Sequence, residues 1–274
     1  MISRTPIPFQ KALDALRVKS PLPTTASSKQ LSQLSADILR RATFSARTNN
    51  AWYVSKIADT NLNLLAGKRV AQGGLSKPYA IQQLADALKQ LGYHPGTHGP
   101  RPRSIQDFSS DRRLKLIIDT NYDMATGYGN HTAGQDPILL DAFPAQELIR
   151  EINSRVRRPW QSIWRAAGGK LYNGRMIALK NDPIWTNISH FKQPYPPFHY
   201  NSGMGVADIS RKEAQQLNVQ GLQTPQTPQP LSITKDLAAK PQQRHSNLRA
   251  QLIQDLGDKI TIDQNGIIHI KETA

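Results

Sequence analysis

Residues Pro194–Glu213 read PYPPFHYNSGMGVADISRKE, and so many prolines, glycines and aromatics in twenty positions demand an ordered but irregular surface, not a regular core element. The stretch contains no recognisable catalytic set. On its N-terminal side, Phe143–Lys180 reads FPAQELIREINSRVRRPWQSIWRAAGGKLYNGRMIALK and interleaves Trp160, Trp164 and Tyr172 with arginines. Such interleaving can bind nucleic acid through stacking and phosphate contacts. Packing is the stronger reading: Leu148, Ile149, Ile152 and Val156, then Trp160, Ile163, Trp164 and Ala167, fit an apolar interior whose arginines keep their charged ends in water. Leu171-Tyr172 and Met176–Leu179 flank Asn173-Gly174, which predicts a two-residue hairpin.

Further upstream the pattern is helical. Leu31, Leu34, Ile38, Leu39 and Ala42 recur at steps of three and four, and apolar positions continue through Phe44, Tyr53, Val54, Ile57 and Leu62 to Leu65, predicting one long helix or two broken near Asn49 and Asn50. Gly67 is the expected stop and Gly73-Gly74 a turn. A second helix starts at Ser76-Lys-Pro, with Pro78 in its first turn, and runs to Gly92. A loop follows, rich in Pro and Gly. Ser109 or Ser110 caps a third helix over Arg112–Thr126, which Gly127 and Gly129 are expected to end. Asn121 falls inside that helix, on a partly exposed packing edge where it is a candidate partner contact. GYGNHTAGQD, Gly127–Asp136, reads as a turn; it lacks the GxxxxGK[ST] pattern of a phosphate loop. The histidines His94, His98 and His131 have no metal-binding spacing.

Three blocks of this text resemble the minor head proteins of tailed phages, the head morphogenesis or Mu F-like group. Arg41–Gly67 (RATFSARTNNAWYVSKIADTNLNLLAG) is similar to the family's early Arg-Thr helical segment, and Arg112–Gly129 (RRLKLIIDTNYDMATGYG) to its central segment. Asp182–Ala214 is the most specific block. It resembles the family's closing pattern of a bulky aromatic, paired prolines and an aromatic-Asn-Gly turn feeding a short strand, with Trp185, Pro196, Pro197, Tyr200, Asn201, Ser202 and Gly203 matching the structural turn. The family commonly carries Cys-Arg-Cys after that Asn, whereas Ser202-Gly203-Met204-Gly205 stands here and removes a metal or disulfide role. The resemblance implies a noncatalytic protein of capsid assembly, associated with portal protein and other head components, with double-stranded DNA as a further contact. Its place would be the cytoplasm of an infected or lysogenic host and the virion interior.

Other readings stay open beside it. The rival is a DNA-binding protein of unrelated role. An ADP-ribosyltransferase-like enzyme, the fold to which the family is related, would need an orienting carboxylate; Glu147 and Glu151, four apart on an expected helix beside Arg150, read instead as an ion-pair network. A metal-dependent nuclease would need Asp107, Asp111, Asp119, Asp123, Asp136 and Asp141 to converge.

The 274 residues carry 35 Lys and Arg against 20 Asp and Glu, a formal net charge of +15, which attracts nucleic acid or an acidic protein surface. The candidate contacts are Arg47, Arg112, Arg113, Asn121, Arg155, Arg157, Arg158, Trp160 and Arg165. Absence of cysteine excludes thiol and disulfide chemistry, and no cofactor or metal site is expected. No apolar run suits a membrane span or a signal peptide, so a soluble intracellular protein is expected. The fold class is α+β, mainly helical with small antiparallel sheet elements and extensive Pro/Gly loops. Its parts are an N-terminal arm at 1–30 with an amphipathic segment at Phe9–Val18, a minor-head-like domain at 31–220, a Pro/Gln-rich linker at 221–246, and a helix-hairpin unit at 247–274 whose turn is Asn265-Gly266.

Overall fold

The computed structural model describes residues 10–31, 42–67, 76–96, 101–153 and 157–231, together with 254, 260–262 and 268–270. The fold is α+β and mainly helical, with nine helices, a small antiparallel sheet and a parallel strand pair among the described residues. It divides after Ala125 into two compact units, Met1–Ala125 with Ile233–Ala274, and Thr126–Ser232. The expected 31–220 domain is therefore split within a helix.

In the first unit the amphipathic arm is helix α1, Gln10–Arg17, and it is docked, not free. Its Ala12, Leu13 and Leu16 pack with Leu65 and Ala125. Strand β1, Ser20–Pro21, pairs in parallel with β2, Ala42–Thr43, an arrangement that pattern reading did not foresee. Between them α2, Ser28–Leu31, opens with a reciprocal cap: Gln30 Oε1 accepts from the Ser27 N–H at 2.8 Å, and Ser27 Oγ accepts from the Gln30 N–H at 3.4 Å. The expected helical positions Leu34, Ile38 and Leu39 lie outside the described residues, as does Gly73-Gly74. Phe44 follows a strand instead of continuing a helix.

Helix α3, Ala51–Leu65, starts where the asparagines predict, because the Asn50 side chain accepts from Tyr53 N–H and satisfies an otherwise orphaned donor. Gly67 ends it at φ +64°, a conformation that costs a side-chain-bearing residue. Helix α4, Lys77–Gln90, is capped by Ser76 with proline in its first turn. Both pack on α5, Asp111–Gly134, through Tyr53, Ile57, Leu84, Leu88, Leu114 and Ile118.

Helix α5 is 24 residues long, so Gly127 and Gly129 do not end it, and Gly127–Gly134 of the GYGNHTAGQD run form its C-terminal third instead of a loop. Glycine costs a helix about 1 kcal/mol per position. At Gly127 the structure supplies the reason to accept that cost: the backbone carbonyl of Pro196 lies where a Cβ would stand.

The second unit is built on a four-stranded antiparallel sheet of order β4-β5-β3-β6, with β3 Ala145–Arg150, β4 Leu171–Tyr172, β5 Arg175–Leu179 and β6 Met204–Ile209. The Asn173-Gly174 hairpin forms as expected, both residues having positive φ. Glu147 lies on a strand, paired with Ile177 and Ala207, and Glu151 lies past its end; they share no helical face. Successive residues of β3 point to opposite faces. Leu148 joins Trp160 and Trp164 of α7, Trp160–Ala166, with Trp185 of α8, Ile184–Asn187, and Phe198 in an aromatic core. Ala145 joins Ile177, Ile209, Val219 and Leu222 on the other face, with Ala214 of α9, Arg211–Gln216. Across that face Arg175 bridges Glu147 and Glu213 at 2.7 Å each. Helix α6, Pro137–Ala142, connects α5 to the sheet and is capped by the Asp136 carboxylate.

The expected linker from 221 is in part a packed element: Leu222 is buried and residues up to Leu231 bond to the sheet unit. Strands β7, Ile260–Ile262, and β8, Ile268–Ile270, pair antiparallel as the hairpin reading requires. The Asn265-Gly266 turn and the helix predicted before it fall outside the described residues.

Candidate nucleic-acid and partner interface

At the N-terminal end of α5, Arg113 ties two loops together. One nitrogen donates to Ile105 O at 3.2 Å; the other donates to Ser45 Oγ at 3.0 Å and to the Ala46 carbonyl, with the guanidinium 4.6 Å from the Phe108 ring centre. Burial pulls its pKa below the usual arginine value, yet a guanidinium stays charged in proteins, and the three oxygens of Ile105, Ser45 and Ala46 accept from it. Arg113 is thus a positioning residue, not a free contact. The neighbouring loop is held from within by buried Asp107, which accepts from the N–H groups of Arg103 and Ser109 and the hydroxyls of Ser109 and Tyr93. Burial alone would raise the Asp107 pKa; these donors outweigh it and hold the carboxyl below its usual range.

What the two loops display is positive. Arg47 and Arg103 sit at φ 59° and 61°, an uncommon backbone conformation for arginine, and both are exposed, as are Arg101 and Arg112. None of the four forms an ion pair with a described carboxylate. Asp107 is consumed by the loop itself, which leaves exposed Asp111 as the opposing charge on the same loop and helix start. Through Ala125 the chain has eighteen Lys and Arg against eight Asp and Glu; Thr126–Ser232 has eleven against seven. Asn121 is partly buried and donates to Ile117 O of its own helix at 2.9 Å.

In the second unit, the PYPPFHYNSG turn is bolted to the end of β3. Arg158 donates to Tyr200 O at 2.8 Å and Asn201 O at 3.3 Å, and the N–H groups of Glu151 and Ile152 donate to Gly203 O at 2.9 and 3.1 Å. Pro196-Pro197 is cis, and Asn201 and Gly203 take positive φ. Trp185 and Phe198 face each other at 5.9 Å in the core below, and Tyr200 packs edge-on against Phe191 at 4.7 Å. Trp160 is 4% exposed, so its ring belongs to this core and offers no face to a base. Arg157 and Arg165 are exposed; Arg155 lies outside the described residues.

Pattern reading missed the histidines of this turn. His190 and His199 stack at 3.5 Å, and His199 lies 4.7 Å from Trp160. The His199 Nε2–H donates to Ile188 O at 2.9 Å, which leaves Nδ1 as the acceptor; neither it nor Trp160 Nε1 has a hydrogen-bond partner among the described residues. Burial, then His190 and Arg158, push the His199 pKa down to about 4 from 6.5, and burial lowers His190 in the same direction. The unfolded chain therefore binds more protons than the folded one between those values, so stability falls as pH drops from 6.5 to 4 and the loss levels off below. Exposed His190 admits solvent to the pair, which reduces the effect to about 1–2 kcal/mol. Urea titrations at pH 7, 5 and 4 should show this extra loss in the wild type and not in His199→Phe; parallel curves for the two would refute it.

Among the described residues no three His, Asp or Glu side chains are grouped for a metal ion. Several candidate acids have local partners: Asp119 pairs with Lys77 and Lys115, Asp141 with Arg211, and Asp136 caps α6. No described helix is long and apolar enough to cross a membrane. Compared with known proteins, the chain matches no family model, and neither a curated protein nor a solved structure shows significant similarity to it.

Proposed function

We propose that this chain is a noncatalytic head-assembly protein of a tailed phage that binds the portal and touches packaged DNA. The observation that supports the assembly reading is the role of the closing block, Asp182–Ala214. Residues that carry the resemblance help to build the second unit, because Trp185 lies in its core and the Tyr200–Gly203 turn feeds β6. A divergent chain that keeps these positions keeps the frame while its Cys-Arg-Cys element is replaced. The reading places the protein in the host cytoplasm during assembly and in the head interior afterwards.

The exposed arginines Arg47, Arg101, Arg103 and Arg112, which form no ion pair among the described residues, favour a DNA contact, which would equally suit a DNA-binding protein of unrelated role. Co-expression with the portal protein encoded beside it, followed by light scattering at low and high salt, separates the two. A complex that persists at high salt is the expected result, since apolar contacts are not screened. A monomer at both salts that binds only DNA would sink the portal role. For the DNA contact, the triple variant Arg47→Glu, Arg103→Glu, Arg112→Glu should lower duplex affinity by about tenfold or more near 0.1 M salt and flatten its salt slope by roughly 0.9 for each phosphate no longer neutralised. Portal association should be unaffected.

A further inference from the structure

The segment after α9 repeats a triplet, Gln223-Thr224-Pro225 and Gln226-Thr227-Pro228, then Gln229-Pro230. Three prolines in six residues exclude helix, remove backbone donors and favour an extended chain with three residues per turn. Most of its residues are exposed, so burial contributes little to holding it. Polar clips do instead. Asn181 Nδ2 donates to Thr227 O at 2.8 Å, the Asn181 N–H donates to Gln226 Oε1 at 3.2 Å, and Gln226 Nε2 donates to Pro144 O at 2.6 Å. Two residues on, the Gln229 N–H donates to Gln135 Oε1 at 2.7 Å, and the Tyr128 hydroxyl donates to Leu231 O at 2.9 Å.

The receptor side is itself fixed. Gln135 Nε2 donates to Asn181 Oδ1 at 2.8 Å, so both side-chain amides have donor and acceptor engaged, and flipping either would set like groups against each other. The Gln135–Asn181 bond lies within the receptor and does not involve the peptide, so it aims the Gln135 acceptor and the Asn181 donor at the segment. A carbonyl and an N–H of the peptide, two residues apart, are read by two preset amides, and the Gln226 side chain is read by a backbone donor and acceptor. This is recognition of an extended proline-rich peptide, with no charged group involved.

We propose that Gln135, Asn181 and the Pro144 carbonyl form a binding site for uncharged extended peptides of the pattern Gln-Thr-Pro-Gln, occupied in this structure by the chain's own Gln226–Gln229. The tethered segment is a built-in competitor. It continues directly from buried Leu222, so its effective concentration is on the order of millimolar, and an outside peptide must overcome that before it binds. The inference stands independently of the head-assembly reading.

The test titrates a synthetic peptide of sequence Gln223–Leu231 into the full-length chain and follows side-chain amide signals by NMR. Gln226→Ala removes two clips from the tethered segment and leaves the receptor intact, so it should bind the free peptide about tenfold more tightly than the wild type does. Adding Asn181→Asp, which keeps the acceptor facing Gln135 and deletes the donor to the peptide, should abolish the gain. Unchanged tryptophan fluorescence verifies that both variants are folded. Equal peptide affinity in wild type and Gln226→Ala, or binding indifferent to Asn181→Asp, would overturn the proposal.

Discussion

Gly127→Ala should destabilise the second unit by about 3 kcal/mol or more, although helix propensity taken alone predicts a gain of about 1 kcal/mol at the same position. The clash decides the sign. A Cβ on Gly127 would stand 2.0 Å from Pro196 O, 3.1 Å from Pro196 C and 3.0 Å from the Tyr195 ring. A side-chain obstruction could rotate away; a backbone carbonyl in a turn fixed by Arg158 and by the end of β3 cannot. Relief requires separating α5 from the turn, which would pull Tyr128 away from Tyr195. Gly134→Ala is the control, because its Cβ would meet only the Lys180 side chain, at an ordinary contact distance of 3.4 Å, and should change stability by less than about 0.5 kcal/mol. Chemical denaturation of the two variants tests the argument: a Gly127→Ala protein as stable as the wild type would mean that the approach of helix and turn is not what keeps this glycine.

That glycine also shows where pattern reading stops. The starts of α3 and α4 were legible because Asn50 and Ser76 act on amide groups three residues away, and the Asn173-Gly174 hairpin because the turn conformation is set by two adjacent residues. Gly127 looked like a helix end because the same residue serves a chain reversal and a close approach, and only the distant Pro196 distinguishes them. Ala145–Arg150 reads AQELIR, good helix formers, yet it is a central strand because β5 and β6 pair with it on both sides; tertiary pairing outweighs a propensity of a few tenths of a kcal/mol per residue. The segment after Gly221 has the composition of a linker, and its order comes from Gln135 and Asn181, neither of which carries any local mark of that role.

The candidate interface was legible in part for the same reason. Arginines are visible in a sequence, but which of them are spent is a matter of tertiary partners. Arg113 is drawn into the protein by Ser45, Ala46 and Ile105, while Arg112, one residue away, is exposed and has no ion-pair partner among the described residues. The order of expected effects follows: Arg113→Ala should lower the stability of the first unit, and Arg112→Ala should leave it unchanged.

The largest single-residue loss should come from Trp185. The indole is fully buried, lies 5.2 Å from Trp164 in an edge-on contact and 5.9 Å from Phe198 in a stacked one, and donates its N–H to Leu179 O at 2.8 Å. Trp185→Ala combines lost burial, a cavity between two aromatic rings and the loss of one of the two hydrogen bonds that Leu179 O accepts, the Asp182 N–H keeping the other at 3.0 Å, and should cost about 4–5 kcal/mol, a large part of the stability of an ordinary domain. Trp185→Phe separates the contributions. It retains most of the apolar packing and removes the donor to the end of β5, for an expected cost of about 1–3 kcal/mol. Urea denaturation followed by the remaining tryptophans would read both. A Phe variant as damaged as the Ala variant would assign the residue's role to its hydrogen bond; an undamaged Ala variant would show that the aromatic core does not depend on it. The expected order, Ala well below Phe and Phe below wild type, follows from a side chain that fills the core and at the same time anchors the strand end from which the turn-bearing block departs.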